Sequence, residues 1–290
     1  MSDLALESFK TTFHKGSLRE RSVVTYIVPY GDSHVIVSET TPFHPRDYQW
    51  PDHPADRGFI ENSLGRRYDL ADVVFVGRDP DGNICVDSGI PAKKNDPGWS
   101  FCVGHVILGV RPNLSEGDPI ILQVDNSYRW RLSRAHSAAH VMSFALNQSF
   151  AQRWRRKIPY IDDMGNPNFD AVALEKSNIS PLSCVDRYRL GKSLKRRGFT
   201  VDGLKDDISR YEEEINRMID EWMQNDAPIS VESDGDNLTS IKCWNTTLDG
   251  VDVEMPCNGT HVSRLSEIGT IIVNFEIPDE ETLIITTSVR

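Results

Sequence analysis

At 290 residues, 39% hydrophobic and 26% charged, the chain has the composition of a folded protein with a sizeable core, and disordered or fibrous classes are excluded. The formal charge of −11 excludes a protein that grips nucleic acid over its whole surface and leaves room only for a local basic patch. No stretch approaches the ~20 apolar residues that span a bilayer, and the start, MSDLALESFKTTFHKG, lacks the apolar run of a leader, so a cytoplasmic location with no membrane partner is expected.

The first 125 residues read as β structure. SVVTYIVPY (22–30) and SHVIVSE (33–39) are β-branched runs separated by Gly31 and Asp32, a hairpin signal. DVVFVG (72–77), NICVDS (83–88), FCVGHVILGV (101–110) and PIILQVD (119–125) continue at short spacing, which predicts a small barrel or curled antiparallel sheet. The period then changes. From Ser127 to Phe150, Leu132, His136, His140 and Phe144 recur every four residues with no Gly or Pro, which predicts one amphipathic helix capped by Asn126 or Ser127. Residues 155 to 197 carry Pro, Gly and Asn and read as an irregular insertion. A second helix is predicted from Val201 to Asn225, with Leu204, Ile208, Tyr211, Ile215, Met218 and Trp222 on one face. The tail returns to strands at 239–244, 250–255, 269–277 and 282–289. The expected fold is therefore α+β, with a small β-barrel-like domain over 1–125 and an α+β domain over 126–290.

Two basic segments stand out, RWRRK at 153–157 and KSLKRR at 192–197, and either is read most simply as a solvated surface face. Five cysteines, at 85, 102, 184, 243 and 257, are an odd number with no CxxC pair, so they read as reduced thiols. Four of them are most simply buried small hydrophobes.

His136 and His140 stand four residues apart in a predicted helix, so both imidazoles project from one face and can reach a single ion. Alone, this HxxxH spacing is a weak signal. Far downstream, Cys257 and His261 are also four apart, in a glycine-containing loop between strands. Thiolate and imidazole together suit zinc, a borderline-soft ion, and the two pairs in one chain make a zinc site the favoured reading. The metalloprotease signature needs a glutamate after the first histidine; Ser137 stands there, which argues against a zinc peptidase.

The sequence GDPIILQVDNSYRWRLSRAHSAAHVMSFAL followed by CNGTHVSRLSEIG resembles the second additional domain of alanyl- and threonyl-tRNA synthetases and the free-standing alanyl-tRNA editing proteins of the AlaX type. Cys257, Gly259, Thr260, His261, Val262, Glu267, Ile268 and Gly269 fit the family pattern, whereas Asn258 replaces a glycine. Upstream, Thr41, Pro42, Phe43, Pro45, Asp56 and Gly58 fit the family's N-terminal segment, but its glycine run is replaced by RDYQWPDH, about three residues longer than the family's loop. SRYEEEINRMIDEWMQNDAPISV resembles the family's helix with a glutamate and an asparagine before its proline. The likeness covers most of residues 20 to 277 and is poorest over 155 to 197.

The resemblance implies a trans-acting hydrolase of mischarged aminoacyl-tRNA, typically seryl- or glycyl-tRNA for alanine, with one zinc per chain held by His136, His140, Cys257 and His261. Four protein ligands make a closed site, whereas a catalytic zinc usually keeps a position open; both possibilities stay open here. Thr41 fits the threonine that faces the aminoacyl group, and Gln49 or His53 falls at the place of the family's loop glutamine. Thr260 and Arg134 are candidates for substrate binding, and Arg129, Arg131, Arg134 or the two basic segments for tRNA. His105 reads as an inward-facing strand residue or as a partner to the metal site. Two other functions compete: a zinc hydrolase of the same fold acting on a small ester or amide, suggested by the rewritten 46–53 loop, and a non-catalytic protein held together by zinc.

Overall fold

The computed structural model describes residues 9–94, 96–109 and 111–290. Residues 1–8, the first part of the segment that lacks a leader's apolar run, and Val110, the last residue of the strand predicted at 101–110, lie outside the described residues. The class is α+β, and the chain divides into two compact units. No helix among the described residues is long and apolar enough to cross a membrane.

The first unit comprises the chain to residue 130 together with two short later segments, 233–242 and 257–260. Its strands are β1 (Lys10–Thr11), β2 (Arg19–Tyr30), β3 (Ser33–Ser38), β4 (Thr40–Thr41), β5 (Gly58–Asn62), β6 (Arg67–Asp69), β7 (Asp72–Arg78), β8 (Ile84–Val86), β9 (Ser100–Leu108) and β10 (Pro119–Val124). Eight of them form one sheet in the order β6-β5-β10-β2-β3-β9-β7-β8, while β1 and β4 pair in parallel. The hairpin expected at Gly31 and Asp32 is present, with Tyr30 paired to Ser33. No closed barrel forms among the described residues. The terminal strands β6 and β8 are three residues each and end the sheet on opposite sides, so of the two forms expected, a small barrel or a curled antiparallel sheet, the described strands form the sheet.

Period-two alternation puts apolar side chains on both faces of this sheet. Val24, Ile36, Val73, Phe75, Ile120 and Leu122 belong to one buried cluster. Val35, Val37, Val74, Val76, Cys102 and Val106 belong to the other. Gly58 opens β5 because nothing larger fits: a Cβ there would lie 2.1 Å from the carbonyl oxygen of Gln123 and 2.9 Å from the Phe43 ring.

Helix α1 (Asn126–Phe150) follows β10 directly. Its cap is Asp125, one residue before the predicted one: Asp125 Oδ1 accepts from the Tyr128 N–H at 3.0 Å. Nor is the helix amphipathic as expected. From Leu132 to Phe150 every residue is buried except Ala139 and Gln148, which are half-buried. Alanines and serines all round its circumference let neighbours approach on every side.

The second unit comprises residues 131–232, 243–256 and 261–290. It continues with α2 (Phe169–Ala173), β11 (Leu174–Ser180), β12 (Ser183–Arg189), α3 (Lys192–Arg197), α4 (Leu204–Trp222), β13 (Ser230–Ser233), β14 (Lys242–Leu248), β15 (Val251–Pro256), β16 (Ile271–Asp279) and β17 (Thr282–Val289). The region 155–197, expected to be irregular, thus contains two short helices and a β-hairpin that extends the sheet β11-β12-β17-β16. Its strands are polar on one side, as the alternating burial of β12 shows, and this conceals them in a hydrophobicity pattern. Helix α4 lies along edge strand β16. Asn216 donates to the Val273 carbonyl at 2.8 Å and accepts from the Val273 N–H at 2.9 Å, and Glu212 accepts from the Phe275 N–H at 2.7 Å. Two side chains of the helix thereby satisfy backbone groups that an edge strand leaves open. A second set of strands, β13-β14-β15, carries Trp244.

Candidate metal centre

One turn apart on α1, His136 and His140 have ring centroids separated by 4.7 Å. His261 follows β15 on a loop, and its ring lies 4.3 Å from that of His136 and 4.9 Å from that of His140. One ligand atom from each of His136, His140, Cys257 and His261 lies within 4.8 Å of the other three. The two sequence pairs therefore converge.

The chemistry of the set fits a borderline-soft divalent ion: three imidazole nitrogens and one sulfur. His140 supplies the sharpest observation. Its Nε2 is buried and has no hydrogen-bond partner among the described residues, a state that costs about 1–3 kcal/mol unless something else satisfies that nitrogen. Burial also pushes the pKa of His140 down to about 3, so the ring is neutral at physiological pH, the form that binds metal.

Neighbouring groups orient the set. Ser137 Oγ lies 3.1 Å from His261 Nδ1 and accepts from the Val262 N–H at 3.3 Å. The serine that stands where a peptidase would carry glutamate thus fixes the ring of the third histidine. Trp244, fully buried, packs against His140 with ring centroids 5.0 Å apart and against His261 at 6.1 Å. The Gly259 N–H donates to Cys257 Sγ at 3.4 Å, which helps to orient the sulfur. The sequence marked none of these three contributions, because each is a contact between distant positions or a backbone group.

The other predicted residues are placed as follows. Thr41 ends β4, and its Oγ1 lies 2.8 Å from His105 Nε2 and accepts from the Phe43 N–H at 3.1 Å. His105 is fully buried on β9, with Nδ1 2.8 Å from the Ile36 carbonyl. A carbonyl can only accept, so Nδ1 carries the proton, Nε2 is the acceptor, and the Thr41 hydroxyl donates to it. Burial lowers the His105 pKa to about 4 and keeps this neutral tautomer.

Gln49 is exposed in the rewritten loop. His53 is buried, with Nδ1 2.8 Å from the Pro54 carbonyl and Nε2 3.4 Å from Thr260 Oγ1, and burial lowers its pKa to about 4. Thr260 is therefore placed beside His53.

Where the family has glycines, anchored side chains hold the loop. Arg46 pairs with Asp72 and Asp87, Asp47 pairs with Lys94, and Tyr48 donates to the Ala92 carbonyl at 2.7 Å. Neither Asp47 nor Tyr48 adopts positive φ. The far end of the loop is tied by Asp56. It accepts from the His44 N–H at 2.5 Å and from Arg129 through both carboxylate oxygens, while Arg129 also donates to the Pro42 carbonyl at 2.6 Å.

Arg134 is buried, and its guanidinium donates to the carbonyls of Ile268 and Arg290, each at 2.7 Å. Arg129 and Arg134, two of the cations considered for tRNA, thus spend their donors inside the protein.

No protein-family model matches the chain. The chain is similar to the alanyl-tRNA editing protein AlaX-M of Pyrococcus horikoshii, 22% identical over 219 residues, which cover 75% of this chain and 70% of that protein. The resemblance read from the motifs is thus borne out as a distant relationship to AlaX-type editing proteins.

Proposed function

We propose that this protein hydrolyses the aminoacyl ester of mischarged tRNA in trans, with seryl- or glycyl-tRNA for alanine as substrate and one zinc ion per chain held by His136, His140, Cys257 and His261. One observation carries the reading: three imidazoles and a thiol gather within 4.8 Å, and His140 presents a buried nitrogen that no hydrogen bond satisfies. The similarity to an alanyl-tRNA editing protein supports the substrate class. When bound, zinc supplies a Lewis acid and lowers the pKa of a coordinated water toward ~7.

The chain's own residues supply the rest. Ser137 and Trp244 fix the imidazole planes, so the ligand set is arranged before the ion arrives. Thr41 gives its proton to His105 and one lone pair to the Phe43 N–H, which leaves it an acceptor toward any further partner. By the resemblance, Thr41 meets the aminoacyl side chain. An acceptor there rewards the hydroxyl of serine and gains nothing from the methyl of alanine, the kind of selection a polar site performs better than an apolar pocket. His105 is on this account a positioning residue that acts through Thr41.

The anchored 46–53 loop favours one alternative, a hydrolase of the same fold acting on a small ester. A single comparison separates the two: hydrolysis of seryl-, glycyl- and alanyl-tRNA, with and without a zinc chelator, beside hydrolysis of a small seryl ester. The proposed function predicts chelator-sensitive loss of seryl or glycyl groups and sparing of alanyl-tRNA. Turnover of the small ester with none on charged tRNA rejects it.

A further inference from the structure

Two basic segments about 40 residues apart, 153–157 and 192–197, meet in the second unit. The Arg155 N–H donates to the Gly198 carbonyl at 2.9 Å, Thr200 N–H to the Arg153 carbonyl at 2.8 Å, and Trp154 bridges Phe199 in antiparallel register. Trp154 also packs edge-on against Phe199, ring centroids 5.1 Å apart. Gly198 makes the junction possible. It sits at φ +105° after α3, and a Cβ there would lie 2.6 Å from Cγ of Arg156, which crosses over it to donate to the Arg196 carbonyl.

The junction gathers seven exposed cations: Arg155, Arg156 and Lys157 from one segment, Lys192, Lys195, Arg196 and Arg197 from the other. None of the seven forms an ion pair among the described residues. Five other arginines of the same unit do: Arg153 with Asp207, Arg187 with Glu175, Arg210 with Glu214, Arg217 with Glu221 and Arg264 with Asp226. Arg155, Arg156, Lys195 and Thr200 line a groove of about 300 Å³, with Asp202 the one carboxylate in its wall. Arg197, the residue before Gly198, lies 5.8 Å from the ring centroid of Tyr160, a residue 50% exposed.

We infer that this junction is a binding surface for the phosphate backbone of an RNA, and that it is where this chain holds the body of its substrate; the assignment of substrate rests on the deacylase reading. A cluster of seven cations without ion pairs among the described residues, in a chain of net charge −11, has the character of a polyanion site, and only Lys195 of the seven also borders a groove lined by several carboxylates, Asp202, Asp206, Asp279 and Glu280. Four of the seven cations are arginines, whose planar fork matches phosphate oxygens. An exposed tyrosine beside them offers a stacking face to an unpaired base. An anionic membrane fits less well. Helix α3 has six residues and buries its leucine, Leu194, so it presents no apolar face to a bilayer.

The test uses the full-length protein and an unmodified tRNA transcript, with binding followed by fluorescence anisotropy from about 50 to 200 mM salt. The quadruple variant R155Q/R156Q/K195Q/R196Q is compared with R187Q/R210Q/R217Q/R264Q. Each removes four cations and takes the formal charge from −11 to −15, so net charge is matched. The patch variant should bind at least about tenfold more weakly at low salt, and its plot of log affinity against log salt should be shallower by about 3 to 4, near 0.9 per lost contact. The control should follow the wild type, and both variants should melt as it does. A patch variant that melts early is replaced by the single R196Q, for which a slope change near 0.9 is expected. Equal salt slopes for patch and control variants overturn the assignment, as does wild-type protein that binds phosphatidylserine vesicles through the patch and ignores RNA. The two readings fail separately. Patch-dependent RNA binding without deacylation sinks the proposed function alone, and deacylation with patch-independent RNA binding sinks this assignment alone.

Discussion

His105 and His140 are both buried imidazoles held neutral by desolvation, yet the chain treats them differently. Each ring nitrogen of His105 has a partner at 2.8 Å, a carbonyl on one side and a threonine hydroxyl on the other. His140 leaves Nε2 without a hydrogen bond, and one of its ring nitrogens lies within 4.8 Å of three other ligand atoms. A satisfied ring is a fixed hydrogen-bonding element whose role is to direct its neighbour. An unsatisfied one costs stability until something occupies it. Burial and pKa alone do not separate these two cases, and the inventory of partners does.

The largest effect that would sharpen this contrast comes from the unsatisfied set. His140→Ala, or chelation of the wild type, should lower deacylation by about 10³-fold or more, equivalent to about 4 kcal/mol of barrier. Rates with and without added zinc check it, and near-wild-type turnover by the variant would break the contrast. Acid reads the satisfied rings next. His105 and His53 take up a proton near pH 4 when folded and near 6.5 when unfolded, so below pH 6.5 the unfolded chain binds more protons and stability falls. Each should cost about 2 kcal/mol by pH 5 relative to pH 7, from 1.36 kcal/mol per pH unit. Urea unfolding at both pH values measures the loss, and His105→Gln should show a smaller one. The smallest effect concerns direction. His105→Leu frees the Thr41 proton, and preference for seryl- over alanyl-tRNA should fall about tenfold, near 1.4 kcal/mol. Thr41→Val should do the same, and the double variant no more than either; additive losses would show that His105 does not act through Thr41.

What was legible in the sequence follows from range. HxxxH and CxxxH are local spacings, and one helical turn or one short loop suffices to present each pair, so both are visible in the spacing of residues alone. The long α1 was legible because neither Gly nor Pro interrupts it, although its cap proved to be Asp125, since the helix starts as soon as β10 ends. Sheet closure was not legible: whether the edge strands β6 and β8 meet depends on no local signal. The hairpin of β11 and β12 was hidden because its strands expose polar residues and turn through Leu182 at φ +66°, a conformation rare for leucine. The Thr41–His105 contact spans 64 positions and the Asp56–Arg129 pair spans 73, beyond the reach of spacing arguments. Ser137 was read only for the glutamate it replaces, whereas the fold uses its hydroxyl to hold His261.

The most direct test of the central claim is the metal content of the purified protein, measured by plasma mass spectrometry on the wild type and on His140→Ala and Cys257→Ser. The convergence of His136, His140, Cys257 and His261 predicts one zinc per wild-type chain and a marked loss in both variants. Wild-type protein that carries no stoichiometric metal after growth and dialysis with zinc, or variants that retain it in full, would contradict the account.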